Sequence, residues 1–255
     1  MPESSQEAQQ NTALVYGKNP VAELLKSGGT VDTVFIQDGL QSAGYFAALA
    51  KQAGAVVKNV HAAKLRAMCG TEAHQGVAAW AASIEYVLLE DILAAAAAKG
   101  QAPFLVLCDG VEDPHNLGAI MRSAFLCGAH GLVIPKRGGA SVTPTVMKSS
   151  AGAATHLPVA KVANIGETIR RLKNQNVFVY CADMDGAPLH RHNLTGAVAL
   201  VAGSEGKGVS PLVKSLCDGV VSLPMVNAGS GVDSFNVSVA TGIILYEIMR
   251  QRTGE

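Results

Sequence analysis

From residue 104 onward the chain carries short runs that are apolar almost throughout, at 104–108, 131–134, 157–160, 177–181, 197–202 and 220–223. A strand that is apolar on both faces has to be covered on both, which is the condition of a parallel sheet buried between helices. The intervening sequence supplies that cover: apolar residues at helical spacing predict helices over 117–127, 144–153, 165–174, 210–216 and 236–252. The second part of the chain is therefore expected to be an α/β domain with helices on both faces of a parallel sheet. Ligands in such sheets bind beyond the carboxyl ends of the strands, so the chemistry belongs in the loops that follow them.

The first part is smaller and built differently. Helical spacing starts at Asn19-Pro20, with Val21, Leu24 and Leu25 on one face, and stops near Gly28-Gly29. Strands over 31–36, 55–60 and 75–81 then alternate with helices over 42–53 and 62–68. The stretch 83–102 holds an Ala-rich helical pattern over 88–98, broken by Lys99-Gly100-Gln101-Ala102-Pro103, and the domain boundary is expected there. The organisation that results is a disordered tail over 1–12, a small α/β domain over 13–82, a linker over 83–102 and a larger domain over 103–255.

Several classes are excluded. The tail is polar and Gln-rich, without the basic start and apolar run of a signal peptide, as expected of a cytoplasmic protein. No apolar stretch approaches the ~20 residues of a membrane span. With 49% hydrophobic and 16% charged residues, disorder over most of the chain is not expected. Cys69, Cys108, Cys127, Cys181 and Cys217 are odd in number and widely spaced, with no CxxC pair, so neither a disulfide framework nor a metal site is expected.

Twenty Lys and Arg balance twenty Asp and Glu, which at first argues against a nucleic-acid partner. The balance is uneven along the chain: residues 114–214 hold eleven basic side chains against four acidic ones, and five of the seven histidines. A positive field confined to one part of a neutral protein suits a local phosphate contact, and equally a solvated face.

Three loops gather polar residues. The first, Asp109-Gly110-Val111-Glu112-Asp113-Pro114-His115-Asn116-Leu117-Gly118, enters a helix that carries Arg122. Asn116 can cap that helix, Gly118 allows close backbone approach, and Arg122 can reach back to a helix start whose N–H groups favour anions. Against this candidate phosphate site stands the reading of a simple cap and a surface arginine. The second loop, Gly203-Ser204-Glu205-Gly206-Lys207-Gly208, is neither a Walker A sequence, because Gly208 follows Lys207, nor a dinucleotide GxGxxG. What remains is a Gly-rich turn holding a carboxylate, Glu205, that has few structural duties. The third segment runs from Leu223-Pro224-Met225 through a Gly-rich stretch to Ser234-Phe235-Asn236, where a helix opens with the small residues Ser238, Ala240, Thr241 and Gly242. Glycine inside a helix costs ~1 kcal/mol relative to alanine, so Gly242 calls for a compensating close contact. No GxSxG elbow or dinucleotide fingerprint supports a hydrolase or an oxidoreductase.

Residues 113–124, 200–209, and 223–225 with 234–242 resemble, in order, the three motifs of the SpoU/TrmH family of RNA ribose 2′-O-methyltransferases. Tyr16-Gly17-Lys18-Asn19-Pro20-Val21 and His74-Gln75-Gly76-Val77-Ala78 are similar to that family's small RNA-binding domain. The resemblance covers nearly the whole chain after Thr12 and is nearest to the bacterial enzymes that methylate a guanosine ribose of 23S rRNA. One departure is that the segment between Met225 and Ser234 is a few residues longer than the family's usual spacing.

The resemblance implies an α/β fold of SPOUT type, with a deep trefoil knot in the C-terminal parallel-sheet domain and an N-terminal domain like ribosomal protein L30e. It implies S-adenosylmethionine as cofactor, held largely by backbone atoms at Gly203, Leu223, Met225 and Phe235. The implied catalytic set is Arg122, Asn116, Glu205, Ser234 and Asn236: Arg122 acts at the ribose hydroxyl, Glu205 places Arg122 or the substrate, and Asn236 anchors the last helix by its amide. Implied partners are RNA, 23S rRNA first, and a second copy of the chain docked through the C-terminal domain, with no DNA and no membrane. Two alternatives stand beside this reading. One is a tRNA 2′-O-methyltransferase, and the other is a non-catalytic RNA-binding assembly factor, against which the five intact site residues argue.

Overall fold

The computed structural model describes residues 14–26, 31–81, 83–227 and 233–254. The tail over 1–12, the Gly28-Gly29 helix end and most of the lengthened segment, 228–232, lie outside the described residues. The chain divides into two compact units, up to Glu85 and from Tyr86 onward.

In the first unit, strands β1 (Leu14–Tyr16), β2 (Val31–Gln37), β3 (Val56–Val60) and β4 (Val77–Ala81) form a sheet of order β1-β4-β2-β3. The β2–β3 pair is parallel and the other two are antiparallel. Side chains of a strand point alternately to opposite faces. Accordingly Val34 and Ile36 of β2 pack with Val21 and Leu25 of α1 (Lys18–Lys26) and Phe46 of α2 (Ala43–Gln52). Phe35, between them, packs on the other face with Leu65 and Cys69 of α3 (Ala62–Cys69). Three layers result, with β2 buried on both faces.

The second unit is a six-stranded, all-parallel sheet of order β10-β8-β9-β5-β6-β7. Its strands are β5 (Phe104–Cys108), β6 (Gly131–Pro135), β7 (Val159–Val162), β8 (Phe178–Pro188), β9 (Val198–Ala202) and β10 (Gly219–Ser222). Strands β5, β6 and β9 are buried at every position, as their unbroken apolar runs require. On one face Leu105, Leu107, Val179 and Val201 meet Ile92 of α4 (Leu89–Ala98), Ile169 of α7 (Ile165–Lys173) and Val213 of α8 (Pro211–Leu216). Leu117, Ile120 and Met121 of α5 (Pro114–Leu126) and Ile244, Leu245 and Ile248 of α9 (Val237–Thr253) are fully buried elsewhere in the unit. The short helix α6 (Pro144–Ser149) packs on α5.

The stretch 83–102, read from sequence as a linker, joins this core from Tyr86 onward. Val87 donates its N–H to Val159 O (2.9 Å), and Leu89, Ile92 and Leu93 of α4 are buried with the sheet. Strand β7 starts two residues later than its apolar run because Pro158 has no N–H; its carbonyl accepts from Leu132 instead.

Chain order runs outward from β5 to β6 and β7 on one side, then returns to fill β8, β9 and β10 on the other. The loops after β5 and β9 therefore diverge at a switch point, at the carboxyl edge where parallel sheets take ligands. Strand β8 adds an irregularity. Its partner register with β10 jumps from Cys181↔Val220 to Ala187↔Val221, so residues 182–186 form an excursion unpaired with β10. Gly186 allows it: a Cβ there would stand 2.5 Å from Val220 O.

Candidate active site

The first loop leaves β5 at Asp109, whose N–H donates to Ala202 O of β9 (2.8 Å) and whose Oδ2 accepts from Ser210 N (2.8 Å). Both contacts tie it to the segment around the second loop. Helix α5 then begins three residues earlier than apolar spacing alone predicts, at Pro114, and its cap is Asp113, whose Oδ1 accepts from His115 N at 2.9 Å. Asn116 is thus not the cap. It lies in the first turn, buried, with its amide free to bond elsewhere. Gly118 does permit a close approach, but by α6 and not by a ligand: a Cβ on Gly118 would fall 1.9 Å from Ser149 Oγ.

The second loop closes on itself. Ser204 and Gly208 exchange backbone hydrogen bonds (2.9 and 3.0 Å), and Lys207 N donates to Ser204 Oγ (3.3 Å). Gly208 takes φ +65°, the left-handed region that glycine enters without penalty. Gly203 has to be glycine for a different reason: a Cβ there would stand 2.2 Å from Gly208 C and from Val209 N.

In the third segment Asn236 caps α9. Its Oδ1 accepts from Ser238 N (2.9 Å), Ser238 Oγ (2.6 Å) and Val239 N (3.3 Å). That leaves its Nδ2 as a donor, and it donates to Asn116 Oδ1 at 3.1 Å. With its oxygen so used, Asn116 turns its own Nδ2 to Glu205 Oε1 at 3.0 Å. The orientation of each amide follows from the one before it, because an amide oxygen only accepts and its nitrogen only donates. One relay, Asn236 to Asn116 to Glu205, therefore joins all three loops.

Beside the relay a cavity of about 280 Å³ opens between the second and third segments. Gly203, Leu223, Met225 and Phe235 all line it, together with Glu205 and Ser234. Asn116, Arg122 and Asn236 do not; the two asparagines stand behind it, bonded to or capping what does. Sequence reasoning overlooked the contributions of Asp183 and Met184 from the β8 excursion, and of Thr241 and Ile244 from α9. Arg122 is exposed on α5, and no carboxylate or carbonyl of the described residues holds its guanidinium; Glu205 contacts Asn116 instead. Behind the loops, burial first and the Glu205 and Asp109 carboxylates second push the Cys108 thiol up to about 12. A thiol so disfavoured as thiolate is structural and not a nucleophile.

The family profiles match both parts of the chain: the SpoU rRNA methylase family over residues 103–246, and the substrate-binding domain of RNA 2′-O ribose methyltransferases over residues 14–87. The chain belongs to the SpoU family. A relative from Bacillus subtilis (strain 168), named for the TrmH family of tRNA/rRNA methyltransferases, is 43% identical over 242 residues, which cover 93% of this chain and 95% of the relative. Among solved structures, the SpoU methyltransferase AviRb from Streptomyces viridochromogenes, in complex with AdoMet, is similar with a TM-score of 0.60 and 26% identity over 95% of this chain and 91% of its own. The TrmH/SpoU tRNA modifying enzyme of A. aeolicus is 30% identical with a TM-score of 0.54, over 60% of this chain and 77% of its own.

As a SpoU enzyme the protein is an S-adenosylmethionine-dependent RNA 2′-O-ribose methyltransferase, with an α/β parallel-sheet domain and an N-terminal substrate-binding domain. The cavity fits the cofactor: Leu223, Met225 and Phe235 offer an apolar slot for a purine, and the glycine loop offers bare backbone opposite. Among the described residues no cluster of His, Cys, Asp or Glu could hold a metal ion, and no helix is long and apolar enough to cross a membrane.

Proposed function

We propose that the protein methylates the 2′-hydroxyl of a guanosine ribose in 23S rRNA, at the site formed by Arg122, Asn116, Glu205, Ser234 and Asn236, inside the bacterial cytoplasm. The observation that carries this reading is the amide relay: it holds the loop of Glu205 and the start of α9 in one geometry at the rim of the cavity, and it is rooted in the helix that bears an unengaged Arg122. When bound, S-adenosylmethionine supplies the electrophilic methyl group. The chain's own residues would place the ribose 2′-hydroxyl and ease the loss of its proton to solvent. Arg122 grips the neighbouring phosphate and stabilises the charge that grows on the oxygen. A guanidinium keeps its own protons, so the effect is electrostatic. Ser234 and Glu205, on the cavity wall, orient the ribose, while Asn116 and Asn236 position them.

The matched substrate-binding profile supports RNA capture by the small N-terminal domain, residues 13–82, with catalysis assigned to residues 103–255. The resemblance also supports a trefoil crossing of the segments around Gly203 and Met225, which line one cavity. A homodimer is supported by α5 and α9, whose Ala119, Ser123 and the exposed Val239, Ile243 and Tyr246 line a shallow groove. Sedimentation equilibrium reads it directly, and a monomer would overturn it.

The deciding experiment is methyl transfer from labelled S-adenosylmethionine to 23S rRNA lacking its 2′-O-methyl groups, with the product mapped by resistance to alkaline cleavage. Arg122→Ala should lose on the order of 10²- to 10³-fold in rate, the usual effect of removing one charge-stabilising group. An Arg122→Lys enzyme at native rate would overturn the role given to Arg122. Transfer to tRNA and not to rRNA would replace the substrate.

A further inference from the structure

We propose that Asp183 is a cofactor-binding residue: its carboxylate accepts a hydrogen bond from the ribose hydroxyls of S-adenosylmethionine, and Lys214 is the positioning residue that aims it. Asp183 sits in the β8 excursion, where residues 182–186 leave their pairing with β10, and it lines the same cavity as Gly203, Leu223 and Phe235. The excursion is pinned at three points. Gly186 lies against Val220, Ser222 Oγ donates to Gly186 O (2.8 Å), and Lys214 Nζ, reaching from α8, bridges Asp183 Oδ2 (2.9 Å) and Asp185 Oδ1 (2.6 Å). A strand that merely ended would need none of this; a carboxylate held at fixed height on a cavity wall does.

The contacts of the carboxylate select its ligand. Oδ2 takes the Lys214 ammonium and Oδ1 takes the Met184 N–H (2.7 Å). An ionised carboxylate has about four acceptor positions, so capacity remains for a donor from the cavity. A second ammonium, such as the one on the amino-acid tail of the cofactor, would stand beside that of Lys214 and be repelled. A neutral hydroxyl meets no such repulsion, and an acidic side chain on a ribose hydroxyl is the recurring solution in nucleotide-binding α/β sheets. The carboxylate is also next to the glycine loop: Asp183 Oδ2 lies 3.9 Å from where a Cβ on Gly208 would be. The apolar slot of Leu223, Met225 and Phe235 is left to the base. Burial opposes the charge on Asp183, while Lys214 and the Met184 and Asp185 amides favour it more strongly and hold its carboxyl below the usual range.

Calorimetric binding of two ligands tests the assignment: S-adenosylhomocysteine, which has the amino-acid tail, and 5′-methylthioadenosine, which has the ribose without it. Asp183→Ala should weaken both by the same factor, about tenfold or more, and Asp183→Asn, which keeps one acceptor, should weaken both less. Loss confined to S-adenosylhomocysteine would mean that the carboxylate grips the tail, and unchanged affinity for both would remove it from the site; either result overturns the proposal. For Lys214, Lys214→Met should weaken 5′-methylthioadenosine in the native background but not in the Asp183→Ala background, and Lys214→Arg should restore it. Equal losses in both backgrounds would mean that Lys214 acts only on the fold. Should the Asp183 variants not fold, the native protein still decides, since it must bind 5′-methylthioadenosine more tightly than its 2′,3′-dideoxy analogue. Native protein that binds neither S-adenosylhomocysteine nor 5′-methylthioadenosine would overturn the cofactor assignment on which this rests.

Discussion

Replacing Gly203 by alanine separates the cavity from the rest of the fold. The new Cβ would stand 2.2 Å from Gly208 C and Val209 N and 2.5 Å from Gly208 O, all of them backbone atoms that no side-chain rotation can move aside. Carbon atoms rest about 3.5–4.0 Å apart, so the two limbs of the loop must part by more than about 1 Å. The reciprocal bonds between Ser204 and Gly208, at 2.9 and 3.0 Å, do not survive that separation. Each contributes about 0.5–1.5 kcal/mol, which gives a cost of about 1–3 kcal/mol. The stiffer unfolded chain of the alanine variant returns about 0.4–1 kcal/mol, leaving a net loss of about 1.3 kcal/mol at mid-range and at most about 2.6 kcal/mol. Urea unfolding measures that loss. Calorimetry with S-adenosylhomocysteine measures the consequence at the site, where a wall displaced by more than about 1 Å should weaken binding at least about tenfold, or 1.4 kcal/mol. Gly206→Ala is the stability control from the same loop: its Cβ would meet no atom within 4 Å, and the midpoint should stay within about 0.5 kcal/mol of native. A Gly203→Ala protein with native urea midpoint and native affinity would refute the loop geometry.

Two more substitutions and one labelling experiment probe the surroundings. Asn236→Asp keeps the oxygen that caps α9 but loses the Nδ2 donor to Asn116; stability should hold to within about 0.5 kcal/mol while methyl transfer falls, whereas Asn236→Ala should cost about 1 kcal/mol of cap energy as well. Thermal unfolding beside the transfer assay separates the two losses, and unimpaired transfer by both variants would count against the relay. With its thiol pushed up to about 12 and its side chain sealed under the loops, Cys108 should resist a maleimide at pH 8 in the folded protein and react in urea. Mass mapping that finds Cys108 labelled as fast as the half-buried Cys127 in folded protein would contradict that burial.

The parallel sheet was legible because burial on both faces writes itself as an unbroken apolar run, and 104–108 and 197–202 fall on β5 and β9 to within a residue. Strand order was not legible, since no local signal says that β8 lies beyond β9. Strand β1 was missed because three residues, Leu14–Tyr16, are too few for alternation to register. The cap of α5 was misassigned to Asn116 because Asn and Asp compete on equal terms at such positions; only the distance from Asp113 Oδ1 to His115 N decides. That same freedom of Asn116 makes the relay possible, and its partners lie 89 and 120 residues away in sequence. Asp183 escaped notice because its exposure to the cavity depends on a register shift against β10, in a strand whose other half pairs regularly. The four positions that the resemblance implied for the cofactor, Gly203, Leu223, Met225 and Phe235, meet in one cavity.

Because Asn236 both starts the final helix and terminates the relay, the site is assembled last. A ribosome that has synthesised every residue through β10 has produced the sheet strands and the glycine loop, yet Asn116 still lacks the donor that orients the amide it offers to Glu205. Competence to bind thus arrives with the docking of α9 and not with the sheet. A chain whose last helix has not docked lacks the cavity wall formed by Thr241 and Ile244, so cofactor affinity becomes a direct reading of whether α9 has closed.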